Sequence, residues 1–285
     1  GMDALVIDLQ DVGSRYYTYA QTAAYAVEVA HQLGLETFVC DRPNPINGQT
    51  VEGTPLDPSC ASFVGMHPIP QRHGLTLGEL VQCYTDGKGQ IVQMDGWKRD
   101  MWFEDTGLPW VPPSPNMPSV NTATVYPGGC LLEGTNLSEG RGTTTPFELV
   151  GAPWIEPFQW VRALNALELP GVRFRPHVFQ PTFQKHAHVE CGGVQIMIQD
   201  RNTLQPLRLG VALLCTLRQL WPQSLEWRTE RYEYVTDRPA IDLLFGTSTI
   251  REKIDAGTPW QDIVKGWSAL ESKWTLERNR WLLYG

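Results

Sequence analysis

Residues 4–9 read Ala4-Leu5-Val6-Ile7-Asp8-Leu9, an apolar run that ends among acidic residues. A continuous apolar run of this length is typical of a buried strand in a parallel sheet. Apolar residues then recur at helical spacing over residues 19–33 and stop at Gly34, a residue type that commonly follows the last turn of a helix. A second short strand is predicted at 37–40. Strand, helix and strand in this order predict a right-handed βαβ unit, and ligands of such sheets collect at the carboxyl ends of the strands.

The rest of the chain predicts helices and strands in a mixed order. Thr76-Leu77-Gly78-Glu79 is a capping box that opens a helix running to about Tyr84. Strands are predicted at 90–94, 130–132, 172–179 and 193–199. Helices are predicted at 156–167, at 207–220 and at 259–283, the last with a break inside it. A further short helix is predicted to open at a second capping box, 145–148. We therefore expect an α/β fold: a Rossmann-like parallel-sheet domain carrying the active site over residues 1–150, followed by a smaller α+β auxiliary domain over 151–285.

Composition and charge exclude several classes of protein. The chain has 285 residues, 42% of them hydrophobic, which is enough for a globular core. A net charge of −8 argues against a nucleic-acid partner, since phosphate binding requires a basic face. No apolar run is long enough for a membrane span, and the first residues do not have the pattern of a signal peptide. No CxxC motif occurs among the six cysteines, and His186 and His188 lack a third convergent ligand, so no metal site is expected.

The most informative polar stretch is Leu131-Leu132-Glu133-Gly134-Thr135-Asn136-Leu137-Ser138-Glu139-Gly140-Arg141-Gly142-Thr143-Thr144. Its apolar start predicts the end of a buried strand. The loop after it holds two carboxylates, one guanidinium, three glycines and several hydroxyl groups. Glycine lets the backbone approach a ligand closely, and two carboxylates near an arginine can be driven to different pKa values. We interpret this loop as the floor of an active site for a polar, sugar-like ligand.

Two glutamates on this loop are candidates for catalysis. Glycoside hydrolysis normally requires one carboxylic acid to protonate the leaving oxygen and a second carboxylate as base or nucleophile. Glu139 and Glu133 are the candidates for that pair, unless one of them caps a backbone N–H or pairs with Arg141. Arg141 itself is a candidate for binding a carboxylate of the ligand, because guanidinium–carboxylate pairing is bidentate and selective. The alternative is that Arg141 forms an internal ion pair with one of the glutamates.

Polar residues that come after the first strands are further candidates for ligand binding. Arg15 and Arg42 are rival carboxylate binders, each following a predicted strand. Asp11 is expected to hydrogen-bond sugar hydroxyls or the backbone that comes directly after it. A divalent cation held by Asp8, Asp11 and His73 is the less favoured alternative, because no compact cluster of histidine and acidic residues completes it.

Four other residues are candidates for contacting the ligand. His73 precedes a helix start and could be a ligand donor or an acid/base group. Asn116 lies in a proline-rich loop that would fix its amide for an N-acetyl group, and Asn136 lies between the two candidate glutamates. Tyr16 could stack on a sugar ring. The structural alternatives are that His73 is a structural histidine, that Asn116 is a turn residue and that Tyr16 packs in the interior.

Several long and irregular strings resemble a single family. They are Asp8-Leu9-Gln10-Asp11-Val12-Gly13-Ser14-Arg15-Tyr16-Tyr17-Thr18-Tyr19, Asp41-Arg42-Pro43-Asn44-Pro45, Pro68-Ile69-Pro70, His73-Gly74-Leu75-Thr76, Pro113-Ser114-Pro115-Asn116-Met117-Pro118, the loop 133–144 and Gly151-Ala152-Pro153-Trp154. They resemble the exo-β-N-acetylmuramidases, glycoside hydrolase family 171, formerly described as a domain of unknown function. The resemblance runs from Asp3 to Tyr284.

The resemblance implies a Rossmann-like domain joined to a smaller C-terminal domain, with a cleft between them. It implies cleavage of terminal N-acetylmuramic acid from peptidoglycan fragments, so the expected partner is an amino sugar or muropeptide in a secreted or periplasmic setting. It implies no cofactor, and Gln10-Asp11-Val12-Gly13-Ser14-Arg15 is not the G-x-G-x-x-G motif of a dinucleotide-binding turn. Family members usually carry an upstream segment with a Pro-Glu-His-Gly motif, a string that does not occur here. The alternative function is therefore that of a truncated, inactive protein that binds muropeptides.

Overall fold

A parallel sheet of three strands forms the first part of the structure, a computed structural model that describes residues 1–285. The strands are β1 (Ala4–Asp8), β2 (Glu36–Cys40) and β3 (Gln90–Val92), in the order β1-β2-β3. Helix α1 (Tyr19–Gln32) connects β1 to β2, which pair in parallel along their whole length. The predicted βαβ unit is confirmed. None of the helices combines the length and the apolar character needed to cross a bilayer.

Strand β1 lies at the edge of this sheet, and the prediction that it is buried is wrong for most of its residues. Ile7 is buried, but Val6 on the opposite face is 63% exposed. Helix α1 packs on only one face, so the outward face of β1 has no cover. An apolar run shows that a strand can be buried, but it does not show which neighbours cover it.

The predicted capping box opens helix α2 (Leu77–Tyr84). The side chain of Thr76 accepts a hydrogen bond from the backbone N–H of Glu79, and the Glu79 carboxylate accepts one from the backbone N–H of Thr76. The carboxylate of Glu79 is fully buried and also pairs with Arg99. Because a buried carboxylate requires a partner, this ion pair ties α2 to the loop that contains Arg99.

The second sheet is antiparallel and small. Its strands are β4 (Leu149–Ala152), β5 (Val172–Phe179) and β6 (Cys191–Ile198), in the order β4-β6-β5. The remaining helices are α3 (Val120–Gly129), α4 (Pro157–Asn165), α5 (Pro206–Leu220), α6 (Ala240–Phe245), α7 (Thr249–Asp255), α8 (Trp260–Ile263) and α9 (Trp267–Glu277). The strands predicted at 172–179 and 193–199 are confirmed, as are the helices predicted at 156–167 and 207–220. The break predicted within 259–283 falls between α8 and α9.

Two predicted elements beside the Glu/Arg loop are wrong. The strand predicted at 130–132 is a short 3-10 helix, Cys130–Gly134, that continues directly from α3. Leu131 and Leu132 are fully buried, and a short apolar run cannot by itself distinguish a buried strand from a buried helical turn. The helix predicted to open at 145–148 is absent, because Phe147 has a φ of 65° and β4 begins two residues later.

One hydrophobic core joins the two halves of the chain. It contains Val12 and Ile46 from the first half together with most of α5 from the second half. The separation into domains at 1–150 and 151–285 stays a prediction. Strand β4, which contains Val150, pairs with β6 and therefore belongs to the second sheet.

Helix α3 and helix α5 approach closely at glycines, which makes Gly128 a sensitive position. A Cβ atom added to Gly128 would lie 1.8 Å from the carbonyl oxygen of Pro206, whereas one added to Gly129 would lie 3.1 Å from Cβ of Phe147. Because both are helical glycines, alanine gives the same propensity gain at each, about 1 kcal/mol. We expect Gly128→Ala to lower the free energy of unfolding by about 1–3 kcal/mol through overpacking. Gly129→Ala, the control, should change it much less in urea unfolding, and equal effects would contradict this packing.

Candidate active site

The loop over residues 135–148 folds back on itself. Ser138 exchanges two backbone hydrogen bonds with Gly151 of β4, at 2.8 and 3.0 Å, and Phe147 N–H donates to the carbonyl of Glu139 at 2.6 Å. Gly140 and Gly142 have φ angles of 76° and 81°, a region that favours glycine. These two turns direct the residue between them, Arg141, back towards the glutamates.

Arg141 holds both candidate glutamates. Its Nη2 donates to Oε1 of Glu133 at 2.5 Å, and its Nε lies 3.2 Å from Oε1 of Glu139. The side chains of Glu133, Glu139 and Arg141 are 13%, 3% and 23% exposed, so the group lies at the edge of the interior. Burial lowers the pKa of Arg141, but the charges of Glu133 and Glu139 outweigh it and raise that pKa above its ordinary value. The guanidinium therefore stays charged between two carboxylates, as the ion-pair alternative predicts.

Tyr232 anchors Glu133 from the second half of the chain. The phenol O–H of Tyr232 donates to Oε2 of Glu133 at 2.9 Å. Burial, and then the charge of Glu133, raise the pKa of Tyr232 well above its ordinary value. The phenol therefore stays protonated and remains a donor, so both oxygens of Glu133 have a protein partner.

Lys185 places a positive charge beside Glu139. Its Nζ lies 2.9 Å from Oε2 of Glu139. The same Nζ donates to the carbonyls of three loop residues at 2.7–3.0 Å, Leu132, Thr135 and Leu137. An ammonium group has three protons, so the three carbonyls and Oε2 of Glu139 share them. Lys185 thus fixes the loop and gives Glu139 an opposite charge.

Lys185 and Tyr232 were not singled out by the sequence, because nothing in their spacing links them to the Glu/Arg loop. The segment around Lys185 has an unusual backbone, since Gln184, His186 and His188 have φ angles of 68°, 57° and 63°. Such conformations persist only where the surroundings impose them, and they cluster at functional sites. His186 bonds to the carbonyl oxygen of Asn136 at 2.7 Å, and the structure contains no group of three metal-ligating side chains.

A row of aromatic rings connects Tyr16, in the loop after β1, to Arg141. The ring of Tyr16 meets Tyr126 edge to face at 6.1 Å between centroids, and Tyr126 meets Phe147 in the same way at 4.8 Å. The guanidinium of Arg141 lies 5.0 Å from the centroid of Phe147. Tyr16 is buried and donates its O–H to the carbonyl of Pro127 at 2.8 Å. Tyr16 therefore supports Arg141 through packed rings rather than presenting a face to a ligand.

Asp11 and His73 form a buried polar pair. Oδ2 of Asp11 accepts the backbone N–H of Gly13 at 2.7 Å, whereas Oδ1 is buried without a partner. Nδ1 of His73 accepts the backbone N–H of Leu75, which places the proton of a neutral ring on Nε2, 3.8 Å from Oδ2 of Asp11. Burial raises the pKa of Asp11 to about 7 and lowers that of His73 to about 3. A neutral imidazole thus faces a carboxyl group that titrates near neutrality.

Two predicted ligand-binding residues use their side chains for hydrogen bonds within the protein. The guanidinium of Arg15 is buried and donates to the carbonyls of Ile69 and Leu244, at 2.7 and 2.8 Å. The amide of Asn136 donates to the carbonyl of Ser224 and accepts the backbone N–H of Glu226. Both side chains therefore tie the first half of the chain to the second.

Two other predicted residues do not contact the Glu/Arg group. Arg42 forms a bidentate pair with Asp8, at 2.5 and 2.9 Å, beside a cavity of about 420 Å³ at the carboxyl ends of the parallel strands. Asn116 is half-buried in its proline-rich loop, where its backbone N–H bonds to Oγ of Ser114. Neither residue hydrogen-bonds to Glu133, Glu139 or Arg141.

Two family models cover nearly the whole chain. Residues 1–121 match the N-terminal model, and residues 124–284 the C-terminal model, of the family described as exo-beta-N-acetylmuramidase NamZ. The chain belongs to the NamZ family of exo-β-N-acetylmuramidases. The resemblance seen in the sequence motifs is confirmed.

A curated relative and two solved structures agree with this membership. The chain is 43% identical over 288 residues to "Peptidoglycan beta-N-acetylmuramidase NamZ" of Bacillus subtilis (strain 168), covering 99% of this chain and 68% of that protein. Two crystal structures of DUF1343 family proteins from Bacteroides fragilis NCTC 9343 are similar with TM-scores of 0.89 and 0.76, at 33% and 27% identity. Each covers 99% of this chain and 75% of its own. The predicted α/β fold is confirmed.

The raised pKa of Asp11 makes a prediction about stability. A carboxyl group that is harder to ionise in the folded state favours folding fully below its unfolded pKa, and this contribution is lost as pH rises through the folded pKa. With values of 3.8 unfolded and about 7 folded, wild type should lose stability relative to Asp11→Asn between about pH 4 and pH 7, by on the order of 4 kcal/mol. Urea unfolding of both proteins across this range measures the difference. His73 is present in both proteins, so its opposite pH dependence largely cancels. A wild-type stability that stays constant or rises with pH relative to that of Asp11→Asn would contradict the assignment.

Proposed function

We propose that this protein is an exo-acting glycoside hydrolase that releases N-acetylmuramic acid from the non-reducing ends of peptidoglycan fragments. The observation that carries the proposal is the convergence of Glu133 and Glu139 on one guanidinium at a partly open position. Membership of the NamZ family supports the same reaction class. Hydrolysis of a glycosidic bond normally requires two neighbouring carboxyl groups.

We assign the two catalytic roles to Glu139 and Glu133. The reaction needs one carboxyl group that gives a proton to the leaving oxygen and one that stays ionised to act as base or nucleophile. Arg141 is shared between the two, so a proton taken up by either glutamate leaves the guanidinium to pair fully with the other. Lys185 places a second positive charge 2.9 Å from Oε2 of Glu139. Glu133 has hydrogen-bond donors on both oxygens, and the two glutamates together supply the acid and the base or nucleophile.

In this proposal, Arg141 binds the carboxylate of the acidic sugar. Its Nε and Nη2 face the glutamates, and its Nη1 donates to no protein acceptor. Muramic acid differs from other amino sugars in its lactyl carboxylate, and a guanidinium nitrogen is a strong donor to such a group. Arg15, a rival carboxylate binder, is buried and already donates to two carbonyls within the protein, whereas Nη1 of Arg141 is not bonded to the protein.

The test is hydrolysis of a chromogenic N-acetylmuramide by the pure protein. We expect Glu139→Gln and Glu133→Gln each to lower kcat by about 10²- to 10⁴-fold, the usual contribution of a positioned acid or base. Glu104→Gln is the matched control, because this carboxylate is 52% exposed and pairs only with Arg201. Thermal unfolding of each variant shows whether the fold is kept.

Two results would overturn the proposal. The first is wild-type protein that releases no chromophore, in which case binding of muramic acid measured by calorimetry would indicate a protein that binds without turnover. The second is full activity in both glutamine variants, which would move the catalytic groups elsewhere in the chain.

A further inference from the structure

The segment between β5 and β6, residues 180–190, lies against the Glu/Arg loop, and we call it the strap. Thr182 on the strap donates twice to the carbonyl of Gly142, from its backbone N–H at 3.0 Å and from Oγ1 at 2.9 Å. His186 bonds through Nε2 to the carbonyl of Asn136 at 2.7 Å. The strap therefore holds the loop at two separate points.

The side chain of Lys185, between these two points, ends where four oxygen atoms meet. One of them is Oε2 of Glu139, 2.9 Å from Nζ of Lys185. The other three are carbonyl oxygens at 2.7–3.0 Å, from Leu132, Thr135 and Leu137. We call these four oxygens the cradle. The side chains of Lys185 and Glu139 are 21% and 3% exposed, so little water reaches the cradle.

The cradle requires a cation. Carbonyl and carboxyl oxygens are electron-rich, so four of them brought together largely out of water repel each other unless a positive charge lies among them. An ammonium group supplies that charge and three protons. The residues on either side of Lys185, Gln184 and His186, have φ angles of 68° and 57°, a conformation that persists only where the surroundings impose it. The conformation of the loop therefore depends on the ammonium group of Lys185.

We propose that Lys185 is the positioning residue of Glu139 in the hydrolytic reaction. Nε of Arg141 lies 3.2 Å from Oε1 of Glu139, and Nζ of Lys185 lies 2.9 Å from Oε2. Two cations from different parts of the chain thus fix the direction of this carboxyl group. The proposal rests on the proposed function, because it requires Glu139 to act on the glycosidic bond. A reacting group displaced by about 1 Å can lower the rate by on the order of 10²-fold, so the contribution of Lys185 belongs in kcat.

The test removes the cation of Lys185 and then returns it as a separate molecule. Lys185→Ala deletes the side chain beyond Cβ, and propylammonium has the same three carbons and ammonium group. Lys185→Met keeps an aliphatic stem without the charge, and it decides the test if the alanine variant does not fold. Lys273→Ala is the matched control, because Lys273 is 71% exposed on α9 and pairs with Glu277. Thr182→Val removes one hydrogen bond of the strap and leaves the cradle intact.

We expect Lys185→Ala and Lys185→Met to lower kcat for the chromogenic N-acetylmuramide by about 10- to 100-fold, with KM within about 3-fold of wild type. Propylammonium at roughly 100 mM should restore at least about 5-fold of kcat to Lys185→Ala, whereas sodium chloride at the same ionic strength should not. Thr182→Val and Lys273→Ala should keep the kcat of wild type. An unchanged kcat in both Lys185 variants, a loss that propylammonium does not restore, or an equal loss in Thr182→Val would overturn the proposal.

Thermal unfolding separates this test from the proposed function. If wild type hydrolyses nothing, the proposed function fails, and Tm then decides whether the ammonium group holds Glu139 and the loop. Propylammonium should raise the Tm of Lys185→Ala by roughly 1–3 °C over sodium chloride and leave that of wild type unchanged. A rise confined to Lys185→Ala supports the positioning of Glu139 by Lys185, whereas an equal change in both proteins, or none, overturns it.

Discussion

The ion pairs of Arg141 are the interaction on which the candidate site depends. Two carboxylates close together and largely out of water repel each other and require a shared opposite charge. Arg141 provides it, the glycine turns on either side of it direct it inward, and Lys185 adds a second positive charge beside Glu139. Two cationic side chains thus face two carboxyl groups, which allows the group to remain at the edge of the interior.

Contacts between the two halves of the chain keep this group assembled. Glu133 is held by Tyr232 and the loop by Lys185, both from the second half. Elsewhere, Glu52 forms a buried ion pair with Arg72. The Glu52 carboxylate also accepts the backbone N–H of Leu207, the first free N–H of α5. Buried ion pairs add little net stability but are costly to break. Their effect here is to fix how α5 and the second sheet sit against the first half, and hence where Tyr232 and Lys185 lie.

Sequence reasoning succeeded with most local signals, although not with the capping box at 145–148, and failed where the structure depended on distant neighbours. The capping box at Thr76 and the alternating strand at 172–179 are encoded within a few residues, and both were predicted. Glu133, Glu139 and Arg141 lie within nine residues of each other in the sequence, but their separation could be read only from the folded chain. Residues 130–132 were assigned the wrong structure because burial, rather than local pattern, decides between strand and helical turn there. Lys185 and Tyr232 could not be predicted, since only the folded chain brings them to the glutamates.

A double-mutant cycle between Arg141 and Glu139 tests this account most directly. Arg141→Met should lower the free energy of unfolding by about 3 kcal/mol, because it leaves two carboxylates without their shared charge. Adding Glu139→Gln should recover part of this loss, giving a coupling energy of about 1–3 kcal/mol measured by urea unfolding. Additive effects of the two substitutions would contradict the claim that one guanidinium holds the two candidate catalytic carboxylates together.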